Sequence, residues 1–427
     1  MNVLQQIKTL LTEQIAIYQP SSQSFGEIQI SLNSPAVDLL TWLKAQTLFP
    51  QFYFEQRKQE YVVATIGAIH TINDFTLLTQ LKQEYPTFNF IGGVKFAGEI
   101  QFILPRLYLE CRSHQVIVKL FIDHRNWSNE RQKLSQDLAL LTEQQPLTSI
   151  SQIKPNLLSQ SSDQRSWQQL IQNALIAMQK KQFAKVVLAQ EMIFQLNKPL
   201  NAFDFLAASR LVNHHCYHFI LAETADNIFL GASPECLYQR SANHFHTEAL
   251  AGTAPIGETA QQQQKYQSWL LQDPKNLEEN QFVVDDICHR LAPYCTEINI
   301  EKVQLRQLRK VQHLCHPIHA TLAVEYTDWE PLFAIHPTAA VAGYPKQAAM
   351  DFITHNEPFK RNWYAGAIGV ISQNFAELCV GLRSAKVTNT QLHLFAGAGI
   401  VKESKADEEW LEIERKMSGL LSLFEIN

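Results

Sequence analysis

Three strand-like segments follow one another near the C-terminus with no helix between them, and this succession limits the folds open to the chain. The segments are YAGAIGVIS, AELCVGLRSAKV and QLHLFAGAGI, between residues 364 and 400. Parallel strands need a long crossover, usually a helix, whereas antiparallel strands are joined by short turns. The succession therefore predicts antiparallel sheets with helices packed outside, and it argues against the alternating βαβ pattern of a Rossmann fold.

Further strand and helix patterns occupy the rest of the chain. Strand-like runs before residue 123 are FYFEQ, YVVATIG, QFILPRLYLEC and QVIVKLFI, and those that follow residue 184 include KVVLAQEMIFQL, YHFILAET and NIFLGAS. Helical periodicity is found in SWQQLIQNALIAMQKKQ, NLEENQFVVDDICHRLAPYC and SKADEEWLEIERKMSGLLSLF. A polar, Ser- and Gln-rich segment at residues 144–167 separates an N-terminal part, 1–155, from a C-terminal part, 156–427.

The composition argues against several classes of partner. The net charge is −5 and no basic block is present, whereas nucleic-acid binding requires clustered Lys and Arg. No apolar run approaches the roughly 18 residues of a membrane span, and the N-terminus does not resemble a signal peptide. The seven cysteines lack CxxC spacing, so we expect free thiols in a reducing cytoplasm.

The stretch FAGAGIVKESKADEEW, at residues 395–410, joins a glycine-rich segment to an acidic helix. GAG does not match the GxGxxG pattern of dinucleotide sites, which leaves a tight turn or a backbone nest for a carboxylate. Glu412 and Lys416 share a helix face farther on, and the simplest interpretation is a solvated ion pair. If Glu412 met Glu279 of NLEENQ in a cleft, the two carboxylates would suit Mg²⁺, which keeps several waters.

Three other features carry candidate chemistry. HLCHPIH, at residues 313–319, matches no CxxC or HExxH zinc pattern, so one histidine acting as a polar site group is favoured over a metal site. Lys185 opens an apolar strand, where it either extends outward or acts as a base with a lowered pKa. Glu235 in GASPEC is either an ordinary turn carboxylate or a protonated acid.

Eight segments tie these features together because of the order in which they occur. They are KVVLAQE, GASPECLY, LAGTAPIG, NLEENQFVVDD, HPTAAVAGYPKQAA, NEPFKRNWYAGAIG, LRSAKV and FAGAGIVKESKADEEWLEIERK. In this order they resemble the chorismate-utilising enzymes. The resemblance is strong over residues 167–424 and weak before them, and eight ordered segments are more specific than any one motif.

The resemblance implies one large α/β unit of the α+β type, in which two stacked, mainly antiparallel sheets have helices outside and a cleft between them. Residues 1–155 would form a weakly matched N-terminal part of this unit, and residues 156–427 the chorismate-binding catalytic region. The branch it resembles most, the isochorismate synthases of menaquinone biosynthesis, adds water at C2 of chorismate while the C4 hydroxyl leaves. The family needs Mg²⁺ and no organic cofactor. We expect chorismate as the only partner, and a cytoplasmic monomer.

The resemblance also assigns a role to individual residues. Lys185 matches the water-activating base and Glu235 the general acid, while Glu279 and Glu412 match the magnesium carboxylates. The groups that match the surroundings of the substrate are Gly252, Thr253, His313, Tyr364, Arg383, Gly397, Gly399 and Lys416. Arg383 can hold a carboxylate in bidentate fashion. Glu235 must be protonated near pH 7, which requires a pKa raised by about three units.

Two positions separate this branch from its relatives. Lysine at position 185 is similar to the water-using branch, whereas the ammonia-using anthranilate branch has glutamine there. Ala340 in HPTAAVAG stands where members that go on to eliminate pyruvate tend to have threonine. Both residues favour release of isochorismate. The alternatives are a salicylate synthase, an isochorismate synthase of siderophore biosynthesis, and a non-catalytic chorismate-binding protein.

Overall fold

A computed structural model of the chain describes residues 3–34, 37–309, 311–324 and 326–425. The α-helices in these ranges are α1 (Val3–Ile17), α2 (Leu39–Ala45), α3 (Phe75–Glu84), α4 (Trp127–Leu140), α5 (Gln164–Gln179), α6 (Ala202–Arg210), α7 (Ala260–Leu270), α8 (Pro274–Leu291), α9 (Trp329–Ile335), α10 (Lys346–Asn356) and α11 (Ala406–Leu421).

The strands in the same ranges are β1 (Phe25–Asn33), β2 (Gln51–Glu55), β3 (Val62–Ile72), β4 (Phe90–Val94), β5 (Ile100–Arg112), β6 (Gln115–Asp123), β7 (Pro155–Gln160), β8 (Lys185–Leu196), β9 (Tyr217–Thr224), β10 (Asn227–Ser233), β11 (Cys236–Ser241), β12 (His244–Pro255), β13 (Cys295–Ile300), β14 (Gln304–Gln307), β15 (Val311–Leu322), β16 (Gly343–Tyr344), β17 (Ala367–Ile371), β18 (Phe375–Val380), β19 (Ser384–Thr388) and β20 (Gln391–Ile400).

All strand pairs are antiparallel, and together they form one hydrogen-bonded network that divides at β5. One edge of β5 pairs with β3 along most of its length, and the other edge pairs with β4 before Pro105 and with β6 after it. Proline has no N–H to donate, so this is a suitable place for an edge to change partner.

Two arms leave the division at β5. The β3 arm follows the order β3–β2–β9–β10–β19–β20–β8, and the β4 arm follows β4–β17–β18–β11–β12–β15. The predicted α/β class with antiparallel strands and helices is confirmed, and the strands form one hydrogen-bonded network with two arms where two stacked sheets were predicted. Strands of the N-terminal part pair with strands of the C-terminal part in both arms, at β2–β9 and β4–β17. The division into 1–155 and 156–427 stays a prediction.

The β4–β17 pair depends on a close approach of two backbones. A Cβ on Gly93 of β4 would lie 1.8 Å from the carbonyl oxygen of Ala367 on β17. Any side chain at this position would therefore force the strands apart. The glycine thus keeps the N-terminal part joined to the β4 arm.

Two sequence interpretations are corrected by the fold. AELCVGLRSAKV is not one strand, because the chain turns at residues 381–383, where Arg383 has a φ of 47°, and separates β18 from β19. FAGAG is the end of β20, as the strand-like segment QLHLFAGAGI predicted, and not the tight turn also considered; Gly397 and Gly399 pair with β8. Glycine is common in turns, but at these two strand positions the missing side chain leaves room for Tyr364 and Glu279 from other elements.

Helices α8 and α11 carry acidic groups towards the space between the arms. Asp273 caps α8 by accepting the N–H of Asn276, and Pro274 begins the helix. Three acidic residues in the first turn of α11 are favoured by the helix dipole. Each helix buries an apolar face, α8 mainly against β12 and α11 against β20. No helix in the described ranges is both long and apolar enough to cross a membrane.

Candidate active site

A cavity of about 880 Å³, including its opening to solvent, lies between the two arms. Its walls come from β8 and β20 of the β3 arm, from β12 and β15 of the β4 arm, and from helices α8 and α11. Eleven of the twelve predicted site residues line it, namely Glu235, Gly252, Thr253, Glu279, His313, Tyr364, Arg383, Gly397, Gly399, Glu412 and Lys416. A cavity of this size, apolar with a few convergent polar groups, is typical of a small-molecule site.

Lys185, the twelfth residue, is fully buried at the start of β8 behind the cavity wall. Its Nζ lies 3.1 Å from Oε1 of Glu279 but makes no hydrogen bond. A Cβ on Gly399 would lie 2.7 Å from that Oε1 and 3.3 Å from Cε of Lys185. Gly399 therefore leaves room for the lysine and the glutamate to meet, and this contact explains why a glycine occupies that strand position.

Glu235 lies in the loop between β10 and β11 and is only 2% exposed. Its Oε1 has no hydrogen-bond partner in the described residues. Burial, and then the negative charge of Glu248, raise the pKa of Glu235 to about 8, while the charge of Lys185 acts in the opposite direction. The carboxyl is therefore mostly protonated at neutral pH and can donate a proton, as the sequence required.

Two cavity carboxylates come from different helices, and each lies beside a lysine. Glu279 on α8 faces Lys185, and Glu412 on α11 forms a 2.7 Å ion pair with Lys416. Burial disfavours the charged form of Glu412, but the ion pair with Lys416 holds its pKa below the ordinary value. Glu409, one turn earlier, has its pKa raised to about 7 by burial and by the negative charges of Glu412 and Glu279.

This donor set fits Mg²⁺ better than zinc. Within the described residues, no group of three or more His, Cys, Asp or Glu side chains is arranged to hold a metal. Mg²⁺ needs only one or two carboxylates and takes water and substrate oxygens for the rest. Burial, followed by the negative charges of Glu412 and Glu279, raises the pKa of Glu409, so a cation placed among these carboxylates would favour their ionised forms.

The three histidines of HLCHPIH all lie on β15, and each contacts a different partner. His313 reaches the cavity, His316 contacts Oδ1 of Asn280 at 2.6 Å, and His319 contacts Glu301 at 2.9 Å. Residues three apart in a strand point to opposite faces, so neighbouring histidines of this motif cannot converge on one ion. Only His313 contributes to the site.

Groups suited to an anion come from the turn before β19 and from β12 and β15. Arg383 makes no ion pair within the described residues, and burial lowers its pKa. Nδ1 of His313 lies 2.9 Å from the hydroxyl of Thr253. Burial, followed by the charges of Arg383 and Lys416, holds the pKa of His313 well below its usual range, so the ring is neutral. The N–H of Thr253 donates to Oδ1 of Asn276, beside Gly252 at φ +80°.

Aromatic and small residues form the wall contributed by β20. The ring of Tyr364 stacks on Phe395, with centroids 5.4 Å apart and planes at 18°. A Cβ on Gly397 would lie 2.9 Å from the hydroxyl of Tyr364, so the glycine keeps this part of the cavity open. Lys416 donates a 2.8 Å hydrogen bond to the carbonyl of Gly397 and thereby holds α11 against β20.

Sequence reasoning missed the charged groups next to Glu235. Glu248 on β12 is 1% exposed and is held by Arg57 and Arg306. A signal existed, because a lone carboxylate in the apolar strand run TEALAG is unusual unless it is paired. Glu409 was also missed, and its place in a helix rich in exposed acidic residues hid its burial, at 3% exposure.

Comparisons with known proteins agree with this site. A family described as "Chorismate binding enzyme" matches residues 94–425. Isochorismate synthase MenF of Haemophilus influenzae is 40% identical over 99% of this chain and 97% of that protein, and the Pasteurella multocida protein of the same name is 41% identical over 100% of both. The solved structure of MenF, the menaquinone-specific isochorismate synthase from Escherichia coli, superposes with a TM-score of 0.92 at 34% identity over 99% of both chains. The chain belongs to the family of chorismate binding enzymes.

Proposed function

We propose that the chain is an isochorismate synthase that converts chorismate to isochorismate for menaquinone biosynthesis. The full-length similarity to proteins named isochorismate synthase MenF supports this function. The observation that carries it is a buried, mostly protonated carboxyl, Glu235, in the lining of the cavity, together with a fully buried amine, Lys185, which lies behind that lining against Glu279. A binding protein has no need of an acid and a base at the same site, whereas the exchange of a hydroxyl for water needs both.

The two groups divide the proton transfers of the reaction. Lys185 takes a proton from the water that adds at C2 of the ring. Glu235 donates its proton to the C4 hydroxyl, which leaves as water while the double bonds shift. With a pKa of about 8, Glu235 carries that proton in roughly nine-tenths of the molecules at pH 7. Burial is the main reason why Glu235 keeps its proton.

The remaining cavity groups hold the substrate, which carries two carboxylates. The guanidinium of Arg383, which makes no ion pair with any residue that the structure describes, is suited to one of them in bidentate fashion. Thr253 and the neutral His313 add hydrogen-bonding groups. Lys416 supplies a second cation at the wall formed by β20. Gly397 keeps the cavity open beside Tyr364, and Gly252, at a positive φ, lets β12 approach Asn276.

Glu279 and Glu412 would hold Mg²⁺. When bound, the ion offsets the negative charge of the substrate's ring carboxylate. Both carboxylates line the same cavity, and Glu409 adds to the negative charge around them. Removal of divalent metal with EDTA should stop turnover, and added Mg²⁺ should restore it. Undiminished turnover in the chelator would refute this part of the proposal.

Ala340 supports release of isochorismate over further reaction. It lines the cavity, and its methyl group offers no hydroxyl of the kind that threonine has in pyruvate-eliminating relatives. The test is chromatography of the products formed from chorismate and Mg²⁺. We expect isochorismate with little salicylate or pyruvate. Salicylate and pyruvate in equal amounts would identify a salicylate synthase, and binding of chorismate without turnover would identify a binding protein.

The role of Lys185 can be tested by one substitution with a matched control. Lys185→Ala should lower turnover by at least about 100-fold because it removes the base, while chorismate still binds. Lys180→Ala removes an exposed lysine at the end of α5 and should leave turnover unchanged. Near-normal turnover of Lys185→Ala would contradict the assignment. The expectations of a monomer and of a cytoplasmic location remain proposals, the second supported by seven free cysteine thiols.

A further inference from the structure

The loop that carries Glu235 is held by a buried ion pair that joins the two parts of the chain. Arg57 follows β2 in a tight turn and is 8% exposed. Its guanidinium contacts both carboxylate oxygens of Glu248 on β12, at 2.6 Å for the Nη1–Oε2 contact. The two residues are 191 positions apart in sequence, and Arg57 lies outside residues 94–425, over which the family matches.

The pair contacts the backbone on both sides of Glu235. Nη1 of Arg57 donates to the carbonyl of Pro234 at 3.2 Å, and the N–H of Cys236 donates to Oε2 of Glu248 at 3.5 Å. Glu235 thus lies between two residues whose backbone groups are held by one bidentate pair. Such pairs have a defined geometry, so they restrict the position of whatever they hold. Neither Arg57 nor Glu248 lines the cavity.

We propose that Arg57 is a positioning residue for the general acid and acts through Glu248, so that the N-terminal part of the chain takes part in catalysis without touching substrate. This inference rests on the proposed function, in which Glu235 donates a proton. A role for this pair explains why buried charges are kept so near an apolar cavity, where ion pairs add little net stability.

The pair also sets the electrostatic environment of the acid. Glu248 and Lys185 act on Glu235 directly, and Arg306, 2.7 Å from Oε1 of Glu248, together with His246 at 3.6 Å, surrounds Glu248 on its other side. The other charged groups that line the cavity with Glu235 are Glu279, Arg383, Glu412 and Lys416. Loss of the Arg57 charge leaves Glu248 less compensated and favours the protonated acid. Loss of the Glu248 charge has the opposite effect.

The test compares Arg57→Gln, Arg57→Lys and Glu248→Gln in the full chain, with chorismate turnover measured from pH 6 to pH 10. For Arg57→Gln we expect kcat to fall by about 10- to 100-fold, KM to change by less than about threefold, and the high-pH limb to move to higher pH. For Glu248→Gln the limb should move to lower pH. Arg57→Lys keeps the charge but loses the bidentate contact, so kcat should fall while the limb stays in place.

Arg106→Gln is the matched control, because Arg106 is a buried arginine of the N-terminal part that pairs with Asp137 at 2.8 Å and with Glu130, away from the cavity. It should lower the melting temperature but leave kcat and the pH profile unchanged. Wild-type kcat and pH profile in Arg57→Gln would overturn the inference, as would shifts of the same sign in Arg57→Gln and Glu248→Gln.

Failure to fold does not leave the question open. If Arg57→Gln cannot be recovered folded, Arg57→Lys decides alone, since wild-type kcat in that variant overturns the inference and a loss of kcat at constant KM supports it. Failure of the proposed function is seen separately, in a wild-type chain that forms no isochorismate, and it would overturn both.

Discussion

Replacing Glu235 by glutamine should make the protein more stable than wild type, and the difference should grow as the pH rises, although the change removes the catalytic acid. The folded protein holds the pKa of Glu235 at about 8, above the ordinary value of 4.5. A raised carboxyl pKa means that the folded state binds the proton more tightly than the unfolded state does. Stability is therefore lost as the pH rises from 4.5 towards 8, and the loss is complete above 8. Glutamine has no proton to lose, so the variant avoids this loss.

The magnitude follows from the two pKa values. Each pH unit between them corresponds to about 1.4 kcal/mol, so the raised pKa of Glu235 lowers the free energy of unfolding by about 1 kcal/mol at pH 5 and by about 5 kcal/mol at pH 9. For a chain of 427 residues, the usual unfolding entropy converts 1 kcal/mol into a shift of about 1 °C. The advantage of Glu235→Gln should therefore grow by about 4 °C between pH 5 and pH 9.

The assay is thermal unfolding of wild type and variant at a series of pH values in one ionic strength. Comparing the difference in melting temperature at two pH values removes any constant effect of the amide. Glu403→Gln, at an exposed carboxyl, is the control and should show no growing advantage. A Glu235→Gln advantage that is the same at pH 5 and pH 9 would refute the argument that burial keeps this carboxyl protonated.

Three further outcomes are expected. Glu235→Gln should lower kcat by about 10²- to 10⁴-fold with chorismate binding retained, and a binding assay beside turnover checks this. Gly399→Ala should raise the Mg²⁺ concentration needed for half-maximal turnover, because the new methyl group would lie 2.7 Å from Oε1 of Glu279. The control Gly419→Ala should not, because no atom lies within 4 Å of its added group. An equal effect in both variants would contradict this explanation. Asn276→Ala should raise KM more than it lowers kcat, because the Thr253 N–H loses its 2.9 Å acceptor; an unchanged KM would argue against a substrate at Thr253.

Local pattern was sufficient to predict most elements near the site. The apolar run that begins at Lys185 is β8, and the acidic amphipathic segment is α11. Period and composition within one segment determine such elements, so they can be recognised without the rest of the chain. The antiparallel class followed from the succession of strands in the same way.

Features that depend on distant contacts could not be predicted. The segment with Gly397 and Gly399 was predicted as a strand, with a tight turn as an alternative, but its pattern could not show that these small residues make room for Glu279 and for Tyr364. The Arg57–Glu248 pair spans 191 positions, and no local pattern connects its members. The resemblance of eight ordered segments to a known family predicted which residues belong to the site. Their individual roles stay predictions, which the variants above test.

The central claim is that Lys185 and Glu235 exchange the C4 hydroxyl of chorismate for a water molecule at C2. The most direct test is a single-turnover reaction in H₂¹⁸O, followed by mass spectrometry of the product. The proposal predicts isochorismate with one ¹⁸O atom, located in the C2 hydroxyl. Isochorismate that carries no ¹⁸O would show that the original hydroxyl migrates within the substrate, and would contradict the assignment of a water-activating base.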